Sequence, residues 1–204
     1  DKKERREARG KLIEGKKQEV RDMIGAAKSV IDNNADVKEV FQAFSGIGEG
    51  SKEWDNLWTE NGKGPTINYK SDKGGDGGGS QGSNFYLNGE NSFAENVTTT
   101  LHEYVHYGDR RRPGGRYEYT RDGVPGYDPA AQRQALDDAF NSDQASANPV
   151  YTRQQWMNGY SGHYGINGPI RVELGYAFEK LAFGRVYFSP EDFKEIQEKY
   201  LKKK

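Results

Sequence analysis

Two of the three histidines in this chain, His102 and His106, stand four residues apart in the stretch TTTLHEYVHYGD, and Glu103 directly follows the first of them. Side chains four residues apart on a helix lie on the same face, so both imidazoles can bind one metal ion. Glu103 is rotated by about 100° around such a helix, so it can reach a metal-bound water without being a ligand. Zinc with three protein ligands lowers the pKa of that water, and a glutamate can accept the proton. The spacing therefore predicts zinc-dependent hydrolysis with Glu103 as general base.

The absence of cysteine narrows the kinds of site that this chain can form. Disulfides, thiolate zinc sites and cysteine nucleophiles are all excluded. Structural zinc sites normally fill all four positions with Cys and His, so a histidine pair with an adjacent glutamate favours a catalytic site. The alternative is a non-catalytic helical binding module with structural zinc or no zinc.

The histidine pair lies in a segment that carries the signals of a helix. In SFAENVTTTLHEYVHYG, Ser92 and Glu95 form a capping box, and Gly108 is the expected C-terminal end. An apolar row at i, i+4 spacing predicts the face turned towards the core, and it consists of Phe93, Val97, Leu101 and Val105.

The other segments predict an α+β, helix-dominated domain. Residues 1–32 are expected to be a charged N-terminal helix or linker, and residues 33–204 the domain itself. PTINYKS and NFYLNGE predict two strands of a small antiparallel or mixed sheet beside the histidine helix. Between them, DKGGDGGGSQGS is expected to be a mobile loop, because glycine loses the most backbone freedom on ordering. Further helices are predicted at DVKEVFQAFSGIG, SKEWDNLWTE, PIRVELGYAFEKLAFG and SPEDFKEIQEKYLKKK.

Composition and charge exclude some classes of partner. The formal net charge is −1, from 30 basic and 31 acidic residues spread along the chain, so binding to a phosphate backbone is not expected. The sequence contains no apolar run long enough to span a membrane. Only 33% of the residues are hydrophobic, which predicts a small core. A bound metal would help such a chain to fold.

The motif H-E-x-x-H resembles that of the zincin metallopeptidases. Downstream, ELGYAFE (residues 173–179) is similar to the E-x-x-x-A-x-E pattern of gluzincins. The resemblance implies Glu173 as the third zinc ligand, Ala177 as the small residue that lets its helix approach the metal helix, and Glu179 as an acceptor for a ligand histidine. It also implies that NFYLN is an edge strand, to which an extended peptide substrate adds.

The sequence leaves alternatives open for the third zinc ligand, the oxyanion donor and the role of the glutamate helix. His163 is the only other histidine and would also suit zinc, and Asp109 is a third possibility that falls just past the expected end of the helix. For donation to an oxyanion, GYSGHYG offers Tyr164 first and His163 second. The simpler interpretation of the glutamate helix is a solvated face on which Glu173 and Glu179 pair with Arg171 or Lys180.

The same motif and its flanks look like the metallopeptidase toxin domains of bacterial polymorphic toxins and secreted effectors. That resemblance implies a protein or peptide substrate and, as a partner, an immunity protein that neutralises the activity. It also implies that the domain is secreted, or delivered into a target cell, as part of a larger polypeptide. Peptidoglycan cross-links stay open as a substrate, because activation of water is the same for either amide.

Overall fold

The computed structural model describes residues 2–59, 64–70, 78–81, 83–111, 174–184 and 190–201, together with Asp138. These residues form the predicted α+β, helix-dominated fold. In chain order, the elements are α1 (Lys2–Asn33), α2 (Ala35–Ser45), α3 (Lys52–Leu57), β1 (Thr66–Lys70), β2 (Gly78–Gln81), β3 (Asn84–Asn88), α4 (Phe93–Asp109), α5 (Leu174–Phe183), α6 (Pro190–Ile196) and a π-helical turn (Gln197–Leu201).

The three strands form a small mixed sheet in the order β1-β3-β2. β3 pairs in parallel with β1, where Phe85 lies opposite Ile67, and antiparallel with β2, where Phe85 lies opposite Ser80. The prediction that NFYLN is an edge strand was therefore wrong, because β3 is hydrogen-bonded on both sides. Its alternating side chains Phe85 and Leu87 are almost fully buried, which explains why this strand takes the central position.

The glycine-rich segment also differs from expectation, because residues 78–81 are strand β2 and not loop. Glycine disfavours order on entropic grounds, but pairing with β3 gives these backbone groups ladder hydrogen bonds. The neighbouring strand, and not the local composition, decides the conformation here.

The core lies around α4, which packs against α1, α2, α5 and β3. α1 contributes only its second half, through Met23, Ile24, Ala27 and Ile31, all 5% exposed or less. These positions follow the helical repeat, so they lie on one face of α1. The first half of α1 is charged, and its described side chains up to residue 19 are exposed.

Aromatic side chains join the remaining helices to this core. Phe41 of α2 meets Trp54 of α3 at a ring-centroid distance of 6.1 Å and Phe178 of α5 at 6.0 Å. α2 is capped at its C-terminal end by Gly46, whose φ of 70° is in the left-handed region that glycine adopts without strain. α3 is capped at its N-terminal end by Ser51, whose side chain accepts a hydrogen bond from the backbone N–H of Trp54.

The N-terminal end of α4 was predicted correctly, but its C-terminal end was not. The Oγ of Ser92 accepts a hydrogen bond of 3.2 Å from the backbone N–H of Glu95, as expected for the N-cap. At the other end the helix does not stop at Gly108 but continues to Asp109. A Cβ at Gly108 would overlap the carbonyl oxygen of Ser45, so this glycine allows close packing against the end of α2.

The predicted apolar row of α4 is buried except at its first position. Val97, Leu101 and Val105 are fully buried, but Phe93 is 43% exposed. Phe93 is the first residue of the helix and lies beyond the part of α4 that the core covers. Among the described helices, none combines the length and the apolar character needed to cross a membrane.

Candidate metal centre

His102 and His106 lie side by side on α4, as their spacing predicts. Their ring centroids are 4.9 Å apart, with an angle of 68° between the ring planes. His106 is buried, and the side chain of His102 is 12% exposed. α4 therefore presents two neighbouring imidazoles from consecutive turns, a common arrangement for a pair of metal ligands.

Glu103 lies on the same stretch of α4 and is only 5% exposed. Its Oε2 has no hydrogen-bond partner among the described residues. Burial of a carboxylate oxygen without a partner costs stability, so such an atom calls for a functional or structural explanation. A carboxylate that must accept a proton from a reacting group is one such explanation.

Tyr104, the next residue along α4, packs into the core. It is fully buried, with its ring 5.7 Å from the ring of Trp58 and 5.7 Å from that of Phe85. Burial raises the pKa of the Tyr104 hydroxyl, and the neighbouring Tyr107 adds to the effect. Tyr104 therefore remains a neutral phenol that anchors α4 to Trp58, directly after α3, and to the sheet.

His102 is held by a carboxylate from a distant part of the chain. Nδ1 of His102 lies 2.7 Å from Oε1 of Glu179 on α5, and the side chain of Glu179 is only 8% exposed. Since the carboxylate accepts, Nδ1 carries the proton, and in a neutral imidazole Nε2 is then the nitrogen with a lone pair. Glu179 is thus an acceptor for a histidine, as the gluzincin pattern implies. The interpretation of Glu179 as part of a solvated face was wrong.

Gly175, one turn before Glu179 on α5, lies directly against the ring of His102. A Cβ at this position would overlap Cδ2, Nε2 and Cε1 of His102. Because these three atoms would be almost equally close, the position lies over the face of the ring, and the in-plane lone pair of Nε2 points elsewhere. Tyr176 adds a second contact, with its ring centroid 5.3 Å from that of His102.

Gly175 is the residue of this site that sequence reasoning missed. The small position was assigned to Ala177, which is fully buried, but the close contact with His102 is made by Gly175. The sequence did contain a signal, because glycine inside a helix disfavours that helix and usually has a packing reason.

The other predicted site residues cannot be placed in the same way. Glu173, His163 and Tyr164 lie outside the described residues. Within the part of the chain that is described, no three His, Cys, Asp or Glu side chains form a group that could hold a metal. Asp109 is the last residue of α4 and is 1% exposed, so the expectation that it falls past the helix end was wrong.

The described donors fit zinc in their chemistry. Two imidazoles, one of them hydrogen-bonded through Nδ1 to a buried carboxylate, are typical of a histidine zinc site with its supporting acceptor. Comparison of the chain with protein-family models, with curated proteins and with solved structures found no match.

Proposed function

We propose that this protein is a zinc-dependent metallopeptidase in which His102 and His106 are two of the zinc ligands and Glu103 is the general base. The observation that carries the proposal is that one stretch of α4 combines two possible zinc ligands with a possible general base. Two adjacent imidazoles, one oriented by Glu179, lie beside a buried carboxylate whose Oε2 has no partner among the described residues.

Each side chain has a distinct role in this proposal. Zinc, when bound, polarises a water and the substrate carbonyl so that the amide bond can be attacked. Glu103 accepts the proton of the attacking water and delivers it to the leaving nitrogen. Glu173 is proposed as the third ligand, with His163 as its alternative, and Tyr164 as the donor to the oxyanion.

The sheet suggests how an extended substrate would bind. β3 is occupied on both sides, which leaves β1 and β2 as the edges of the described sheet. We choose β2 as the strand that accepts a peptide, because it contacts α4. A peptide that adds to β2 would form main-chain hydrogen bonds, which suits a substrate recognised by its backbone. We therefore transfer the proposed substrate-binding strand from β3 to β2.

The biological setting is proposed from the motif resemblance alone. In that setting, the domain acts as a toxin or effector within a larger secreted polypeptide, and an immunity protein neutralises it. A protein or peptide is its substrate.

Metal content tests the proposal directly. Protein prepared without chelators should contain about one zinc ion per chain by mass spectrometry, as a single catalytic site requires. His106→Ala should lose the metal, whereas an exposed change on α1 such as Lys16→Ala should keep it. If the wild-type protein binds no zinc even after zinc is added, the metallopeptidase proposal fails and the helical binding module becomes the better interpretation.

A further inference from the structure

Three contacts of the His102 ring come from one short stretch of α5. Gly175 lies against the ring face, Tyr176 packs edge-to-face at a centroid distance of 5.3 Å, and Glu179 accepts from Nδ1 at 2.7 Å. We call these three residues the α5 clamp. Gly175 and Glu179 are four residues apart, so they lie on the same face of α5.

We propose that the α5 clamp positions His102 for metal binding and that Gly175 is the positioning residue on which this depends. The inference rests on the proposed function, since the metal is the zinc proposed above. Glu179 selects the tautomer with the proton on Nδ1. Gly175 permits the ring orientation in which Nδ1 reaches Glu179 and the in-plane lone pair of Nε2 points away from Gly175.

The physical reason for glycine at this position is lack of space. Carbon atoms in contact are normally about 3.5–4.0 Å apart, and a methyl group at residue 175 would overlap three atoms of the imidazole. Either the ring must turn or the two helices must separate, and both movements break the hydrogen bond to Glu179. A helix with alanine here would be intrinsically more stable, so the glycine is consistent with a requirement of the site.

Stability measurements without metal test whether the His102 ring is what residue 175 must accommodate. In the presence of a chelator, Gly175→Ala should lower the folding equilibrium constant by about tenfold or more, the usual range for overpacking. The same change in a His102→Ala background should cause no loss, because the obstructing ring is absent. Gly25→Ala is the matched control, since a Cβ at this glycine of α1 has no neighbour within 4 Å. An equal loss from Gly175→Ala in both backgrounds would overturn the proposal.

Nitrogen NMR of the metal-free protein tests the orientation of His102. The chain has three histidines, so the His102 signals can be assigned by comparison with His102→Ala. At alkaline pH the wild-type ring should carry its proton on Nδ1, and Glu179→Gln should shift the population towards the Nε2–H tautomer. This variant keeps the size of the side chain and avoids the steric effect of Gly175→Ala. Because the amide oxygen of glutamine can still accept from Nδ1–H, Glu179→Leu is the stricter variant, and an unchanged tautomer in Glu179→Leu would contradict the clamp.

Zinc affinity connects the clamp with the metal. Competition titration against a chelator should show affinity about 10–100-fold lower in Gly175→Ala and in Glu179→Gln, the range found when a partner of a ligand is lost. Gly25→Ala should bind zinc like the wild type. Variants that bind zinc as tightly as the wild type would overturn the clamp. A wild-type protein without zinc affinity would instead overturn the proposed function, while the metal-free measurements still decide whether α5 orients His102.

Discussion

Nδ1 of His102 and Oε1 of Glu179 are 2.7 Å apart, and this contact joins α4 to α5 across 77 residues of sequence. It connects the two motifs on which the zincin resemblance depends, H-E-x-x-H and E-x-x-x-A-x-E. The resemblance implies that Glu179 accepts from a ligand histidine, and the structure identifies that histidine as His102. The contact makes the orientation of a proposed zinc ligand depend on the packing of α5, so changes in α5 should affect metal binding without removing any ligand.

Glu103→Gln separates metal binding from hydrolysis. We expect the variant to keep its zinc and to lose peptide hydrolysis by about 100-fold or more, the contribution typical of a general base. Because Oε2 of Glu103 is buried without a described partner, the neutral side chain should also raise the melting temperature. Zinc content, hydrolysis of an unfolded protein and thermal unfolding check these three expectations. Glu90→Gln, an exposed change before α4, is the control. Undiminished hydrolysis by Glu103→Gln would contradict its assignment as base.

The identity of the third ligand can be decided by two substitutions. Glu173→Ala should lower zinc affinity by more than the ~100-fold that loss of a supporting partner can cost, because it removes a direct ligand. His163→Ala should have a smaller effect. Competition titration of both variants decides the order, and the reverse order would assign the third ligand to His163.

Gly108→Ala should destabilise the protein because α4 and the end of α2 are in close contact there. The added Cβ would overlap the carbonyl oxygen of Ser45 and lie 3.0 Å from Cδ1 of Ile47. We expect a loss of about 1–3 kcal/mol in the free energy of unfolding, as for overpacking of a core. Urea denaturation measures this loss. Gly48→Ala is the control, because a Cβ there has no neighbour within 4 Å. Equal stability of the two variants would show that the helices can separate at little cost.

Glu95 should make stability depend on pH. Burial raises the pKa of Glu95, and a backbone hydrogen bond with Ser92 opposes the effect without cancelling it. A raised pKa in the folded state means that the contribution of this group is fully present below the ordinary value of 4.5 and is lost as the pH rises through the raised value. Glu95→Gln, which can still cap the helix, should therefore gain stability relative to the wild type over that rise. Denaturation of both proteins at a series of pH values measures this difference in stability. A gain in the stability of Glu95→Gln relative to the wild type as the pH falls would contradict the prediction.

The helices could be predicted largely because their signals are local. Ser92 as the N-cap, Gly46 in the left-handed region and the burial of Val97 and Leu101 follow from hydrogen-bonding capacity, backbone freedom and the helical repeat. The predictions were wrong where the local structure depends on contact with a distant segment of the chain. A glycine such as Gly108 is typical of a helix end, but this one lies inside α4, at a position where Ser45 leaves no room for a side chain.

The order of the strands in the sheet also depends on contacts with distant segments, which a local sequence pattern does not indicate. The alternation in NFYLN predicts a strand, but its place between β1 and β2 depends on pairing with other segments. The glycines of β2 argue for a loop when considered alone. Their order comes from hydrogen bonds to β3, which a local pattern cannot reveal.

The sequence by itself determined which side chains α4 presents together, because His102, Glu103 and His106 follow the geometry of a single helix. Only the tertiary structure decided how His102 is oriented. Glu179 and Gly175 meet its ring through the packing of α5 on α4. The reason is that the helical repeat fixes neighbours within one helix, whereas contact between helices depends on which side chains are small enough to let them approach.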